Sequence, residues 1–430
     1  MNSKLAALLG AALVFGVAGP SAQSKNPKVL DIYVVDTEGG KATLFVAPSG
    51  ESVLVDSGNP GGRDTDRIML AIEDAGLKQI DYLVSTHYHV DHIGGMQELA
   101  KRIPIAHYVD HGPSVEEREQ VPDFQQAYAE ARAKAKHTVV KPGDRLPVAG
   151  LDWRIVTSAG KVLEQPLPGG GAANPACATF TPKENARDPE NAQSLGSVIA
   201  YGRFRAIDLG DLLWNNEADL MCPDNPVGQV DLYLVTHHGL DASGSPQLVH
   251  GVQPRVAVMQ NGTRKGGAVQ AFQIMRSSPR LQDIWQSHWS WNAGVEHNSA
   301  GVFIANVDDP ATIASVLTNP PGPRGGGPGR GGPGPGATPP AGGGTGAPGT
   351  PPAAPAPSAG PPPAPAPFAA GPGTPGVAPA QGRPGGGRGG GAAAAHAPAY
   401  WIRISAQADG SFTVTNARNG FSKTYPPTAK

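Results

Sequence analysis

Residues 87–92 read His-Tyr-His-Val-Asp-His, which sets three imidazoles and one carboxylate within six positions, with Gly94 and Gly95 close behind. Imidazole nitrogen and carboxylate oxygen together suit zinc, manganese or iron. The segment from Asp81 to Thr86 that runs into the motif has the character of a buried strand. A loop at such a strand end can aim alternating side chains at two neighbouring ions, so the spacing points to a metal centre rather than to a solvated histidine-rich loop. The chemistry on offer is hydrolysis, because divalent cations acidify water towards neutrality and steady an oxygen that gains charge.

Positioning such a motif takes a framework of strands. β signals recur at Val29 to Val35, Ala42 to Ala47, Ser52 to Asp56 and Tyr82 to Thr86, and Asp-Ser-Gly-Asn-Pro-Gly-Gly at 56–62 is a clear breaker. Asp64 or Thr65 is placed to cap a helix running to Ala75, with Ile68, Leu70, Ala71 and Ile72 on its apolar side. Further strands are expected at 151–157, 197–201, 204–208, 232–236 and 256–259, with helices near 122–135 and from Pro246. Strands followed by helices in both halves predict a layered α/β sandwich.

Composition divides the chain. Gly and Pro number 58 and 45 of 430 residues, too many for one compact domain, but residues 320–398 alone hold 25 Gly and 23 Pro. That tract carries four Arg and no acid, so a net charge of −2 for the whole chain leaves −6 on the remainder. A generally basic protein that coats nucleic acid is excluded, whereas a local basic patch is not. The chain therefore reads as a signal peptide at 1–22, a hydrolase domain at 23–318, a disordered Gly/Pro/Ala-rich insert at 319–398 and a C-terminal β-hairpin at 399–430.

The hairpin, with strand signals at 400–405 and 411–416 around Ala408-Asp409-Gly410, is too short to fold alone and is expected to pack on the domain, next to a strand signal at 301–307. An inert excursion between neighbouring elements is tolerable because closure cost grows only with the logarithm of length; a Pro-rich ligand or wall-spanning spacer is the alternative.

Lys4, the apolar run Leu5 to Ala18 and the small residues Gly19, Ser21 and Ala22 form a secretory signal pattern, too short to span a bilayer. A periplasmic or secreted protein without stable membrane insertion follows. An oxidising compartment permits Cys177 and Cys222 to pair, and both a disulfide and two buried thiols stay open.

The order H-x-H-x-D-H after a buried strand resembles the metallo-β-lactamase fold superfamily, a four-layer αββα sandwich. Glu38 to Leu44 followed by Val53 to Gly58 is similar to the paired opening strands of that fold, and Ala206 to Leu212 to the strand ending in its bridging aspartate. Leu234-Val235-Thr236-His237-His238-Gly239 with Ser243, Ser245 and Pro246 resembles the H-H-G-S segment of the hydrolase domain of ComEC-type competence proteins. The resemblance covers about residues 28–310, with its motifs in family order.

It implies His87 and His89 on a first ion, Asp91 and His92 on a second, and Asp211 bridging both. His237, closer to the strand end, would complete the second site, with His238 a further ligand or a substrate contact. Asp91 would also orient the nucleophilic water, and Asp56 would fix a ligand imidazole in one tautomer. Two zinc ions are the expected cofactors, with manganese or iron as alternatives. Many members of the superfamily supply the first ion with another histidine from an intervening strand, yet no His lies between His137 and His237. Asn191, Ser194 or water is left for that place, and a single-ion site stays open.

The resemblance implies phosphodiester hydrolysis, with a small molecule such as a nucleotide, or single-stranded nucleic acid, as substrate. An acyl hydrolase acting on a lactam, lactone or thioester is one alternative, and a non-catalytic, metal-stabilised surface or binding protein is another. The loop Asn261 to Gly267 offers either amides and two cations to phosphate or an exposed charged turn. Trp285, His288, Trp289, Trp291 and His297 offer a stacking surface or interior packing. His107, His111 and His137 fall outside the pattern, His111 reading as surface loop or site-facing; His250 and His396 are given no role.

Overall fold

The computed structural model describes residues 28–116, 121–306 and 400–428. The expected signal peptide, the whole of the expected insert and His396 lie outside the described residues.

The strand Leu30–Val35 shows how the layers arise. Leu30, Ile32 and Val34 enter one apolar cluster, and Tyr33 and Val35 another, the period-two alternation of a strand covered on both faces. It belongs to a nine-stranded sheet in the order Ser422–Tyr425, Phe412–Asn416, Trp401–Ala406, Leu30–Val35, Thr43–Val46, Ser52–Val55, Tyr82–Val84, His107–Asp110, Lys136–Val139. The second sheet runs Ile304–Asn306, Asp283–His288, Val256–Met259, Leu232–Leu234, Phe204–Asp208, Gly196–Tyr201, Asp152–Ser158, Arg145–Leu146, and Lys161–Val162 adds to Asp152–Ser158.

Its residues alternate likewise, Val256 and Val258 inward and Ala257 and Met259 outward. Between the sheets, Phe45 meets Trp153 edge-on with ring centroids 4.9 Å apart, a geometry that contributes about 0.5–1.5 kcal/mol beyond burial. Helices Arg63–Asp74, Met96–Arg102 and Asp123–Arg132 cover the first sheet through Ile68, Ile72, Leu99 and Tyr128. Helices Trp214–Met221, Pro246–Val252 and Val269–Arg276 cover the second through Met221, Leu248 and Phe272. The layers are helix, sheet, sheet, helix, as expected.

Several elements depart from expectation. The first helix starts after Gly62 with no side-chain cap, because Asp64 turns inward to accept from Asn59 N at 2.7 Å. The C-terminal segment is a three-stranded ribbon rather than a hairpin, and Trp401–Ala406 pairs antiparallel with Leu30–Val35, Ile402 facing Val34. Where a strand was expected from 301 on, the chain makes a short helical turn, Gly301–Phe303, and only then the strand Ile304–Asn306. Cys177 and Cys222 are joined in a disulfide with Cα atoms 5.7 Å apart.

Candidate metal centre

Each candidate side chain stands on a segment that leaves the C-terminal end of a strand. Asp56 follows Ser52–Val55, the H-x-H-x-D-H motif follows Tyr82–Val84, Asp211 follows Phe204–Asp208, and His237-His238 follows Leu232–Leu234. The first two strands are parallel neighbours in one sheet and the last two in the other, so both sheets deliver their loops to one rim. The loops are stitched by Asp56 N donating to Val84 O at 2.9 Å and His237 N to Gly210 O at 3.0 Å. Gly210 has φ 57, and a Cβ there would lie 2.8 Å from Thr86 Cβ, so only glycine lets the second sheet's loop close on the first's.

Asp91, His92, Asp211 and His238 each bring one donor atom into a group whose members all lie within 4.8 Å of one another. His92 Nε2 is 3.2 Å from Asp211 Oδ2 and 3.3 Å from Asp91 Oδ2, and His238 Nε2 is 3.3 Å from both oxygens. The place beside Asp91 and His92 assigned to His237 from sequence is therefore held by His238. Both histidines have left-handed backbone, φ 52 and 56. In so tight a turn successive side chains diverge, and closeness to the strand end does not decide which one points inward. Such a conformation costs about 1–3 kcal/mol per non-glycine residue and gathers at functional sites.

Hydrogen-bond partners fix which imidazole nitrogens are free. His92 Nδ1 donates to Asp56 Oδ2 at 2.8 Å and His238 Nδ1 to the Gln260 carbonyl at 3.1 Å, since neither oxygen can donate. Thr86 Oγ1 donates to Asp56 Oδ2 at 2.7 Å and so accepts from His87 Nδ1 at 3.1 Å. Asp56 thus orients His92 directly and His87 through Thr86. His87 Nε2 and His89 Nδ1 are 3.1 Å apart, and the rings of His87 and His92 lie 4.0 Å apart at their centroids. His87, His89 and His237 flank the compact group of four rather than belonging to it.

The electrostatics favour a cation. Burial raises the pKa of the Asp211 carboxyl, but the imidazoles of His238, His92 and His237 outweigh it and hold the group well below the usual range. Asp91 is likewise held low against its burial by His92, His238 and Lys265. Burial disfavours a charged His92, yet Asp211, Asp91 and Asp56 raise it well above the ordinary imidazole range, while burial takes His87 well below it. His92 Nε2, His238 Nε2 and Asp211 Oδ1 are buried without a hydrogen-bond partner. Two inward imidazole nitrogens facing two carboxylates fit a divalent cation, which satisfies all four at once.

Around this group, Lys265 forms an ion pair with Asp91. Asn261 Nδ2 fastens the Lys265 loop to His288 O at 2.8 Å, and the Arg264 guanidinium lies over the Trp291 ring at 4.2 Å. Trp285 and Trp289 are buried, and His288 Nε2 is held by Asp36 Oδ1 at 2.7 Å, which leaves Trp291 alone of the expected stacking tryptophans partly exposed. His111 is not on a surface loop: it is buried against Glu190 Oε1 at 2.9 Å, and that carboxylate also accepts from Tyr88 N at 3.0 Å, inside the metal motif. Asn191 Nδ2 comes within 3.5 Å of His237 Nε2, whereas Ser194 Oγ accepts from Asp211 N at 3.2 Å. Sequence reasoning gave no role to Thr86, Ser243 or Gln260; Thr86 directly precedes His87, but nothing local marks Gln260.

Residues 36–181 match the family model described as the metallo-beta-lactamase superfamily, a span that contains the H-x-H-x-D-H motif and ends before Asp211. The chain is 30% identical over 115 residues to a hydroxyacylglutathione hydrolase of Klebsiella pneumoniae, covering 27% of this chain and 37% of that protein. It is 27% identical over 187 residues to ComE operon protein 3 of Bacillus subtilis, covering 44% of this chain and 20% of the other. The chain therefore spans well under half the length of these curated relatives. Among solved structures, a Cronobacter sakazakii metallo-beta-lactamase is similar at 16% identity and TM-score 0.29, over 47% of this chain and 76% of that one.

Proposed function

From the match of residues 36–181 to the metallo-beta-lactamase superfamily model, we propose that the protein is an exported hydrolase of that superfamily that uses a metal-activated water, most directly on phosphodiester bonds of DNA or nucleotides. The observation that carries this reading is the convergence of Asp91, His92, Asp211 and His238 on one rim, with Lys265 paired to Asp91 at the same place. When bound, divalent ions, here two zinc ions, supply Lewis acidity that brings the deprotonation of water into the neutral range.

The chain's own groups do the rest. His87 and His89 would hold a first ion and Asp91, His92 and His238 a second, with Asp211 placed to serve both. Asp91 would accept a hydrogen bond from the attacking water and so aim it. Asp56, Thr86 and the Gln260 carbonyl keep three imidazoles in the tautomer that turns Nε2 inward. Lys265, on the loop after Val256–Met259, supplies a cation to an anionic substrate oxygen.

The Cys177–Cys222 disulfide supports export to an oxidising compartment. Among the described residues no helix is long and apolar enough to cross a membrane. A second reading, hydrolysis of an acyl thioester, is favoured by the likeness to hydroxyacylglutathione hydrolase.

The two readings separate on a panel of bis-p-nitrophenyl phosphate, single-stranded DNA, a thioester and a chromogenic lactam, assayed before and after chelation. Phosphodiester turnover that disappears with the metal and returns with zinc is the expected result. Turnover confined to acyl substrates reverses the ranking.

A further inference from the structure

We infer that His237 supplies the third imidazole of the first ion, the place that sequence left to Asn191, Ser194 or water; this rests on the two-ion reading above. The Ser243 hydroxyl donates to Leu212 O at 2.7 Å, so its one hydrogen is committed, and it can only accept from His237 Nδ1 at 3.1 Å. His237 Nδ1 therefore carries the proton, and Nε2 presents a lone pair.

That lone pair looks at Asp211 Oδ2 from 3.5 Å and at Asn191 Nδ2 from 3.5 Å, too far for a good hydrogen bond to the amide. A lone pair turned on a carboxylate oxygen is repulsive unless a cation lies between the two groups.

The same logic places the other donors. The carboxylates Glu116 Oε1 at 3.4 Å and Asp188 Oδ1 at 3.6 Å face His89 Nε2 and favour its proton on that side, while Nδ1 faces His87 Nε2 at 3.1 Å. His87 Nε2, His89 Nδ1 and His237 Nε2 are then three nitrogens not used by the compact group of four.

Asp211 joins the two sets. Its Oδ2 lies within 3.5 Å of the Nε2 atoms of His92, His238 and His237, and its Oδ1 is buried without a partner. The paired left-handed residues 237 and 238 gain a purpose: one turn sends one imidazole to each ion. The first ion thus has three nitrogens and the shared carboxylate, a donor set that suits zinc.

The test uses the full-length mature protein, stripped of metal and titrated with Co²⁺ and Zn²⁺ alone, with ions per chain, affinity and the visible Co²⁺ spectrum as readouts. Wild type is expected to take two ions. His237→Ala is expected to keep one tight ion and lose the spectral component of the other, with unchanged circular dichroism. His238→Ala should lose the opposite component. Should His237→Ala fail to fold, Ser243→Ala carries the test, with first-ion affinity expected to fall about 10–100-fold. Two ions at wild-type affinity in His237→Ala, one ion shared alike by wild type and His237→Ala, or unchanged affinity in Ser243→Ala, overturns the assignment and leaves the hydrolase reading standing. A wild type that takes up no ion overturns both.

Discussion

Asp56 is buried at φ 60 with both carboxylate oxygens committed, Oδ1 to Thr86 N at 2.8 Å and Oδ2 to Thr86 Oγ1 and His92 Nδ1. Asn tolerates the same left-handed backbone but brings an NH₂ against groups that all donate. Asp56→Asn is therefore expected to fold and to bind zinc about 10–100-fold more weakly, measured by titration against a chromogenic chelator. At this scale the motif from His87 to His92 was legible because its donors are contiguous. The choice between His237 and His238 was not, since it depends on two unusual φ values. Nor was the Lys265–Asp91 pair, whose partners lie 174 residues apart.

The turn that carries Ser243 is held by Glu217, buried in the helix Trp214–Met221, whose carboxylate accepts from Gly244 N at 2.8 Å and Ser245 N at 2.7 Å. Burial pushes this carboxyl from its ordinary 4.5 up to about 7, against those two bonds. Between these values the folded chain binds more protons than the unfolded one. This group's contribution is most favourable below about pH 4.5, declines as pH rises to about 7 and is level beyond, by an amount on the order of 3 kcal/mol. Glu217→Gln should flatten that slope, as read from urea unfolding of both proteins across pH 4.5 to about 8; an unchanged slope would remove Glu217 as its source. Element recognition failed where polar residues are buried by partners instead of by alternation. In Asp283–His288, Gln286 Nε2 reaches Asn298 Oδ1 at 2.9 Å and His288 reaches Asp36, so a buried strand reads as a polar stretch. Strands such as Leu30–Val35 and Val256–Met259 were legible because both faces meet apolar layers.

Across the whole molecule, the chain's last strands close on its first, and Ile402, Ile404 and Ala406 enter the core between the sheets. Deleting 400–430 should strip the edge of Leu30–Val35 and give insoluble protein, checked by its soluble yield. Deleting 319–398 should be tolerated when a short Gly/Ser linker replaces it. Asn416 Nδ2 bonds Ile304 O at 2.9 Å and Ala417 N bonds Trp401 O at 3.1 Å, so the strands Ile304–Asn306 and Trp401–Ala406 border the same residues. Unchanged melting temperature and zinc content are the expected outcome; loss of either assigns the tract a role in the fold. The third C-terminal strand, Ser-Lys-Thr-Tyr, offered too little apolar signal to be legible. The most direct test of the account is the transition-metal content of the purified protein, measured together with its hydrolytic activity before chelation, after it and after zinc is restored. Two ions per chain, with activity that falls and recovers alongside them, is the predicted result. A folded protein that takes up no transition metal at micromolar exposure, or that turns over substrate undiminished once stripped, contradicts it.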